Sequence, residues 1–266
     1  MVNKPLIGVA AAVVVVAAGA IFYFRFRHPA ESMVPPPAPP AAASAASESE
    51  EGAIQHPLPA ASEAAQAPLP QLNDSDSSLR DALSQLAGAQ AVGSYLKPDN
   101  VVRNMVVTID NLTRAKLAVD KRPTTPVSGQ FLASGDEVNA TLDPKNYERY
   151  QPWVAVVQKL DAKKLAELYI HFYPLFQQAY QNLGYPNGYF NDRLVQVIDS
   201  LLATPTPSGP IQLARPNVMY TFSDPSLESR PVGQKLLLRM GPDNAAIVKE
   251  KLTELRAVIT ASPPKR

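Results

Sequence analysis

The chain has 266 residues, a formal net charge of +1, 18% charged residues, 27 prolines, three histidines and no cysteine. The missing cysteine excludes disulfides, thiol nucleophiles and Cys-ligated zinc or iron–sulfur centres. Charge is uneven, because residues 31–72 hold five Glu and no Lys or Arg, whereas 73–266 hold 22 basic and 19 acidic residues without a basic run. That pattern has no electrostatic footprint for nucleic acid.

Residues 1–28 are expected to form an N-terminal transmembrane anchor. From Leu6 to Phe24 run 19 uncharged residues, flanked by Lys4 and by Arg25 and Arg27. As a helix they would rise about 28 Å, the thickness of a bilayer core. Phe22, Tyr23 and Phe24 stand where an interfacial aromatic belt belongs. The alternative is a cleaved signal peptide with small residues at Ala18-Gly19-Ala20, but the apolar run continues past that point. Flanking charge is nearly balanced and leaves the orientation undecided.

Residues 29–70 read as a disordered Pro/Ala-rich tether with ten prolines. Such a composition cannot bury enough apolar surface to fold. Its reach lies between about 35 Å as coil and about 130 Å as polyproline helix. The plan resembles envelope proteins that extend from a bacterial inner membrane, so the soluble domain is expected in the periplasm.

Residues 71–260 are expected to form one soluble, mainly helical domain, followed by a disordered tail at 261–266. Asp74, Ser75 or Asp76 can cap a first helix bearing Leu79, Leu83 and Leu86, and Gly88 suits the residue past its end. Asn100 can cap a second helix from Val101 to about Ala118, with Val102, Met105, Val106, Ile109 and Leu112 on one face. Gln130–Ala133 and Glu137–Leu142 read as a hairpin across Ser134-Gly135-Asp136. Asp143-Pro144 opens a helix to about Leu160, and Asp161 caps another to Leu183 that Pro174 should kink or shorten. A helix near Asn191–Ala203 follows, then two strands at Ile211–Leu213 and Val218–Phe222 that should join the hairpin. Two helices at Val232–Met240 and Asn244–Ile259 are hinged at Gly241-Pro242. The expected fold is mainly α, with six to seven helices and a small antiparallel β-sheet.

Chemical signatures are sparse. His28 and His56 belong to the tether region, leaving His171 alone in the domain, so a metal site built on two or three histidines is excluded there. His171 could serve as a general base, though a lone His on a Tyr-rich helix reads first as a hydrogen-bonded packing residue. Ser94-Tyr95-Leu96-Lys97 matches S-x-x-K, but Lys97 precedes Pro98 and the companion motifs of acyl-serine enzymes are missing. Between Tyr147 and Phe190 lie eleven aromatic residues. They could make a platform for sugar or peptide, but their helical spacing favours a core. Arg103, Asp110, Glu148, Arg149, Arg193, Glu228 and Arg239 stand in or beside apolar stripes and read as ion pairs that orient elements.

The stretches LPQLNDSDSSLRDAL, NYERYQPWV, YPLFQQAYQNLGYP, FNDRLVQVID and above all GQKLLLRMGPDNAAIVKEKL resemble the DUF3014 family, an uncharacterised proteobacterial domain of unknown function. The resemblance spans about Pro70 to Ile259, and the family shares the anchor-and-tether plan. It implies no activity, cofactor or catalytic residue. Tyr147, Arg149, Tyr150, Gln234, Lys235 and Arg239 are the candidate interaction patch. The expected function is a non-enzymatic binding or scaffold domain on a tether, contacting an envelope protein or the cell-wall layer, without cofactor or metal. Two alternatives remain: a hydrolase acting on glycan or peptide through carboxylates such as Glu148 or Asp110, and a ligand sensor with a Tyr-lined pocket.

Overall fold

A computed structural model describes residues 53–58, 68–136 and 138–261. The apolar run Leu6–Phe24, most of the tether and residues 262–266 lie outside the described residues. Among those described, no helix is long and apolar enough to cross a membrane.

After a 3₁₀ turn at Leu72–Asp74 come α1 (Asp76–Ala87), α2 (Ala89–Tyr95) and α3 (Val101–Asn111). A second 3₁₀ turn, Val119–Lys121, leads to β1 (Ala133–Ser134) and β2 (Thr141–Leu142). Then follow α4 (Lys145–Glu148), α5 (Gln151–Gln158), α6 (Ala162–Asn182) and α7 (Phe190–Leu202). The chain closes with β3 (Leu213–Ala214), β4 (Thr221–Phe222), α8 (Pro225–Glu228), α9 (Val232–Met240) and α10 (Pro242–Ile259). The mainly helical fold with a small antiparallel sheet is therefore present. The number of helices exceeds the expectation because Asp143–Leu160 is broken at Arg149-Tyr150, and because the short α2 and α8 carry too little periodicity to register.

Both ends of α3 are held by other elements. Asn100, at φ 54°, stands at the α3 N-terminus, but its side chain caps nothing. Asp76 of α1 instead accepts the Asn100 and Val101 amides, both at 2.7 Å. At the other end α3 stops at Asn111 rather than near Ala118. There the first amides of α9 take over: Val232 N donates to Arg114 O at 2.8 Å and Gly233 N to Leu112 O at 2.9 Å. Orphan amides of one helix thus meet carbonyls just past another helix's end. Gly233 has to be glycine for this approach, since a Cβ there would lie 2.7 Å from Leu201 Cδ2 and 2.9 Å from Leu112 O.

Asp161 caps α6 as its position predicts, accepting from the Lys163 and Lys164 amides. Pro174, however, does not end the helix, which runs 21 residues through it. Phe172, Leu175 and Phe176 on either side of the proline are buried, so packing on two flanks outweighs the lost hydrogen bond. α6 is central, touching α1, α3, α7 and α10, while α10 also packs on α5, α7 and α9. Phe190, Ile198, Met240, Leu252 and Leu255 are fully buried between them.

The strands form two hairpins, with Ala133 opposite Leu142 and Leu213 opposite Phe222. They join edge to edge, as expected, through a Thr141–Gln212 bridge and the bonds Leu142 N to Ile211 O and Leu213 N to Ala140 O. Ala140, Leu142, Ile211, Leu213 and Phe222 gather a second, smaller core around Leu238. Leu238 belongs to α9, whose Leu236, Leu237 and Met240 enter the main core. α9 therefore contributes to both cores, as does the segment that carries Tyr147 and Tyr150.

Candidate functional site

The six patch candidates fall on two neighbouring helices and the turn after one of them. Tyr147 lies on α4, Arg149 and Tyr150 follow it, and Gln234, Lys235 and Arg239 lie on α9, which packs against α4. Tyr150 and Gln234 are buried and the other four half-buried. The Tyr147 ring lies against Gly241, so close that a Cβ there would come within 2.5 Å of the ring. Arg149 donates to Ser128 O at 2.9 Å, Gly129 O at 3.1 Å and Asn146 Oδ1 at 3.2 Å. Burial lowers its pKa from the ordinary value. Tyr150 is held protonated by burial, which the charges of Arg149 and Arg239 oppose. Gln234 donates to Ser200 O at 2.6 Å and accepts from Arg230 at 3.0 Å. Lys235 pairs with Glu228 at 2.8 Å and donates to its carbonyl at 3.0 Å. The Arg239 guanidinium lies 4.8 Å from the Phe222 ring centre, a cation–π distance. The structure thus brings Tyr147, Arg149, Tyr150 and Arg239 to the α4–α9 joint, whereas Gln234 reaches to α7 and Lys235 to α8.

The strongest electrostatic cluster lies elsewhere, around Asp110 on α3. Its carboxylate meets Arg193 Nε at 2.9 Å and Arg114 Nη2 at 2.7 Å. Arg193 also donates to Asp110 O and Thr113 Oγ1, both at 2.6 Å, and to Gln196. Tyr185 OH, which accepts from Arg114, completes the cluster at 3.4 Å from the carboxylate. The Asp110 charge raises the Arg114 pKa above its usual value. Asp110 is thereby committed to two cations, while Glu148, the other carboxylate considered for hydrolysis, is exposed on α4. Among the described residues no group of three His, Cys, Asp or Glu is placed to hold a metal ion. Ser94 and Lys97 do not share a helical turn, since Lys97 has left α2 and its amide donates to Pro123 O.

The aromatic helices pack on themselves. Phe176 and Phe190 stack at 5.9 Å, Tyr180 and Tyr185 at 4.5 Å, and Tyr169 meets Tyr173, Phe176 and Phe190. A cavity of about 50 Å³ beside Tyr169 and Phe176 is lined by Leu79, Leu83, Met105 and other apolar side chains. It is far smaller than the roughly 300 Å³ at which small-molecule sites begin. Burial pushes the Tyr180 phenol up to about 12 and Tyr169 well above its ordinary value. As protonated phenols, Tyr169 donates to Asn191 Oδ1 at 3.2 Å and Tyr173 to Gln177 Oε1 at 2.8 Å.

One site escaped the sequence reading altogether. Tether residues 53–58 lie on the start of α7, where Asp192 accepts two successive backbone amides, Gln55 at 3.0 Å and His56 at 2.7 Å. Asn191 Nδ2 donates to His56 O at 2.8 Å and to Ile259 O, and Tyr189 OH accepts from Leu58 N at 3.2 Å. The available signal was small: Ile54 and Leu58 are the first Ile or Leu residues after the anchor segment.

Compared with known families, residues 101–256 match DUF3014, described as a protein of unknown function. The chain belongs to the DUF3014 family. The DUF3014 match begins at the first residue of α3 and ends inside α10. It takes in the small core and most of the main core, the α4–α9 joint, the Asp110 cluster and the α7 residues that hold the tether. Outside the DUF3014 match lie α1 and residues 53–58, which contact α6 and α7, and α2, whose Tyr95 ring lies 4.2 Å from that of Trp153 on α5. No curated protein and no solved structure matches the chain.

Proposed function

We propose that this DUF3014 chain is a non-enzymatic binding module, anchored in the bacterial inner membrane by Leu6–Phe24 and displayed in the periplasm, that contacts another envelope protein or the cell-wall layer. The observation that carries this reading is the state of the ionisable groups: Asp110 is fully engaged by Arg114, Arg193 and Tyr185 instead of facing a second carboxylate. General acid–base hydrolysis needs two such groups converging on a substrate. The packed tyrosines and the 50 Å³ cavity also weigh against ligand sensing. The anchor-and-tether plan suits a domain that must reach its partner, and the contact surface is the α4–α9 joint where half-buried Tyr147, Arg149 and Arg239 meet exposed Glu148, with buried Tyr150 and Gln234 supporting it from beneath and Lys235 turned to Glu228.

The test places a photo-crosslinking residue at exposed Glu148, within that joint, and a control at exposed Asp81 on α1. In living cells the first should capture an envelope protein or a wall fragment that the control does not. Identical products from both positions would overturn the reading.

A further inference from the structure

The contacts of residues 53–58 are of a kind that reads a backbone. Asp192 presents one carboxylate oxygen to each of two consecutive amides, and Asn191 closes on the carbonyl between Gln55 and Leu58. Asn191 is wholly buried, and its amide nitrogen also holds Ile259 O while its oxygen takes the Tyr169 hydroxyl. Its side chain is therefore fixed by α6 and α10 before the tether arrives. Tyr189 takes the Leu58 amide, and the Leu58 side chain packs on the main core. Three of the four hydrogen bonds accept a tether N–H and the fourth donates to a tether carbonyl, so a segment bent at Gln55-His56, which turns two successive amides to one carboxylate, with an apolar residue at the Leu58 position is what fits. The site lies at the opening of α7, where the helix's positive end also favours the Asp192 carboxylate that makes the clip.

We infer that Tyr189, Asn191 and Asp192 form a peptide clip whose occupant is the chain's own tether, Gln55–Leu58. Docking divides the tether: residues 29–54 alone then separate the anchor segment from a fixed point on the domain, in place of 29–70. Release of the clip would lengthen the reach of the domain without unfolding it. The consequence for reach rests on the anchor proposed above, whereas the docking does not.

Hydrogen exchange on the full chain separates the two. Gln55→Pro removes one donated amide from the tether and leaves the domain untouched. Asp192→Asn removes one acceptor from the clip. In the native chain the fragment covering 53–58 should exchange about tenfold more slowly than in either variant, with α6 and α10 exchanging equally in all three. A labelled, end-capped peptide of sequence AIQHPL should bind the vacated Gln55→Pro chain about tenfold more tightly than the occupied native chain, the difference being competition from the tether. Equal exchange of 53–58 in native and Gln55→Pro chains, or a peptide that binds neither, overturns the clip. Either result would leave the anchor reading where it stands, since neither depends on the membrane.

Discussion

Gly241 joins α9 to α10 at φ 88° and ψ 162°, a region essentially closed to side chains, with the Tyr147 ring where a Cβ would go. Gly241→Ala should therefore lower stability by about 3 kcal/mol, combining backbone strain with overpacking. Urea midpoints will read this, and Gly209→Ala, with nothing within 4 Å, should stay within about 0.5 kcal/mol of the native chain. The Asp110 pair makes a second residue-scale case. Its side chains are only 4% and 15% exposed, so Arg193→Ala would strand a buried carboxylate beside the more exposed Arg114. A loss of about 3 kcal/mol is expected, and Asp110→Asn in the same chain should recover part of it; a double-mutant cycle without coupling would contradict the pairing. These charges were visible in the sequence as interruptions of apolar stripes, but their partners were not. Asp110 and Arg193 are 83 residues apart. Likewise the six candidates could be picked out as polar residues beside apolar ones. Whether a residue such as Gln234 faces water or the Ser200 carbonyl depends on the neighbouring helix, which periodicity does not encode.

Between elements the same division holds, and it shows where local signals are enough. The start of α6 at Asp161, the span of α9 and the hinge at Gly241 all follow from one or two residues acting on adjacent backbone, and all were legible. The end of α3 was not, because α9 sets it from about 120 residues downstream, nor was the passage of α6 through Pro174, which depends on burial on both flanks. The tether clip is the extreme case, with partners 131 to 137 residues apart. Two predictions belong at this scale. Leu238→Ala, which empties the centre of the small core, should cost about 3 kcal/mol. Exchange in β1–β4 should accelerate well before that in α6 and α10, because the small core gathers few buried side chains beside the main one. The second concerns pH. Asp136 and Asp161 are held below the usual carboxylate range chiefly by backbone amides, and Asp143 and Asp224 chiefly by the hydroxyls of Ser134 and Ser226. A depressed folded-state pKa means that their contribution is complete above the unfolded value near 4 and disappears as pH falls through the folded values. The Tm should thus be flat with respect to these groups from pH 7 to about 5 and fall below about 4. Asp161→Asn should make that fall shallower, and an unchanged slope would show that the α6 cap plays no part in it.

For the whole molecule, the open matter is how a domain with its own cores relates to the apolar run ahead of it. None of the described helices is long and apolar enough to cross a membrane, and even the 21-residue α6 carries charges along with its buried face. Leu6–Phe24, outside the described residues, has the length and composition to span a bilayer as a helix. Removing Leu6–Phe24 should move nearly all of the chain from the membrane to the soluble fraction, while the melting curve of the domain keeps its midpoint. The two readouts exclude different errors. A chain that stays in the membrane fraction would place the attachment in the domain or its partner, and a shifted midpoint would mean that the run packs on the domain. Orientation needs its own measurement because Lys4 on one side and Arg25 and Arg27 on the other give no decisive imbalance. A reporter fused after Arg266 that is active only outside the cytoplasm should be active in the full chain and silent once Leu6–Phe24 is removed. Activity in both would require a second export signal. Silence in both would put the domain in the cytoplasm, where a cell-wall partner could not reach the α4–α9 joint.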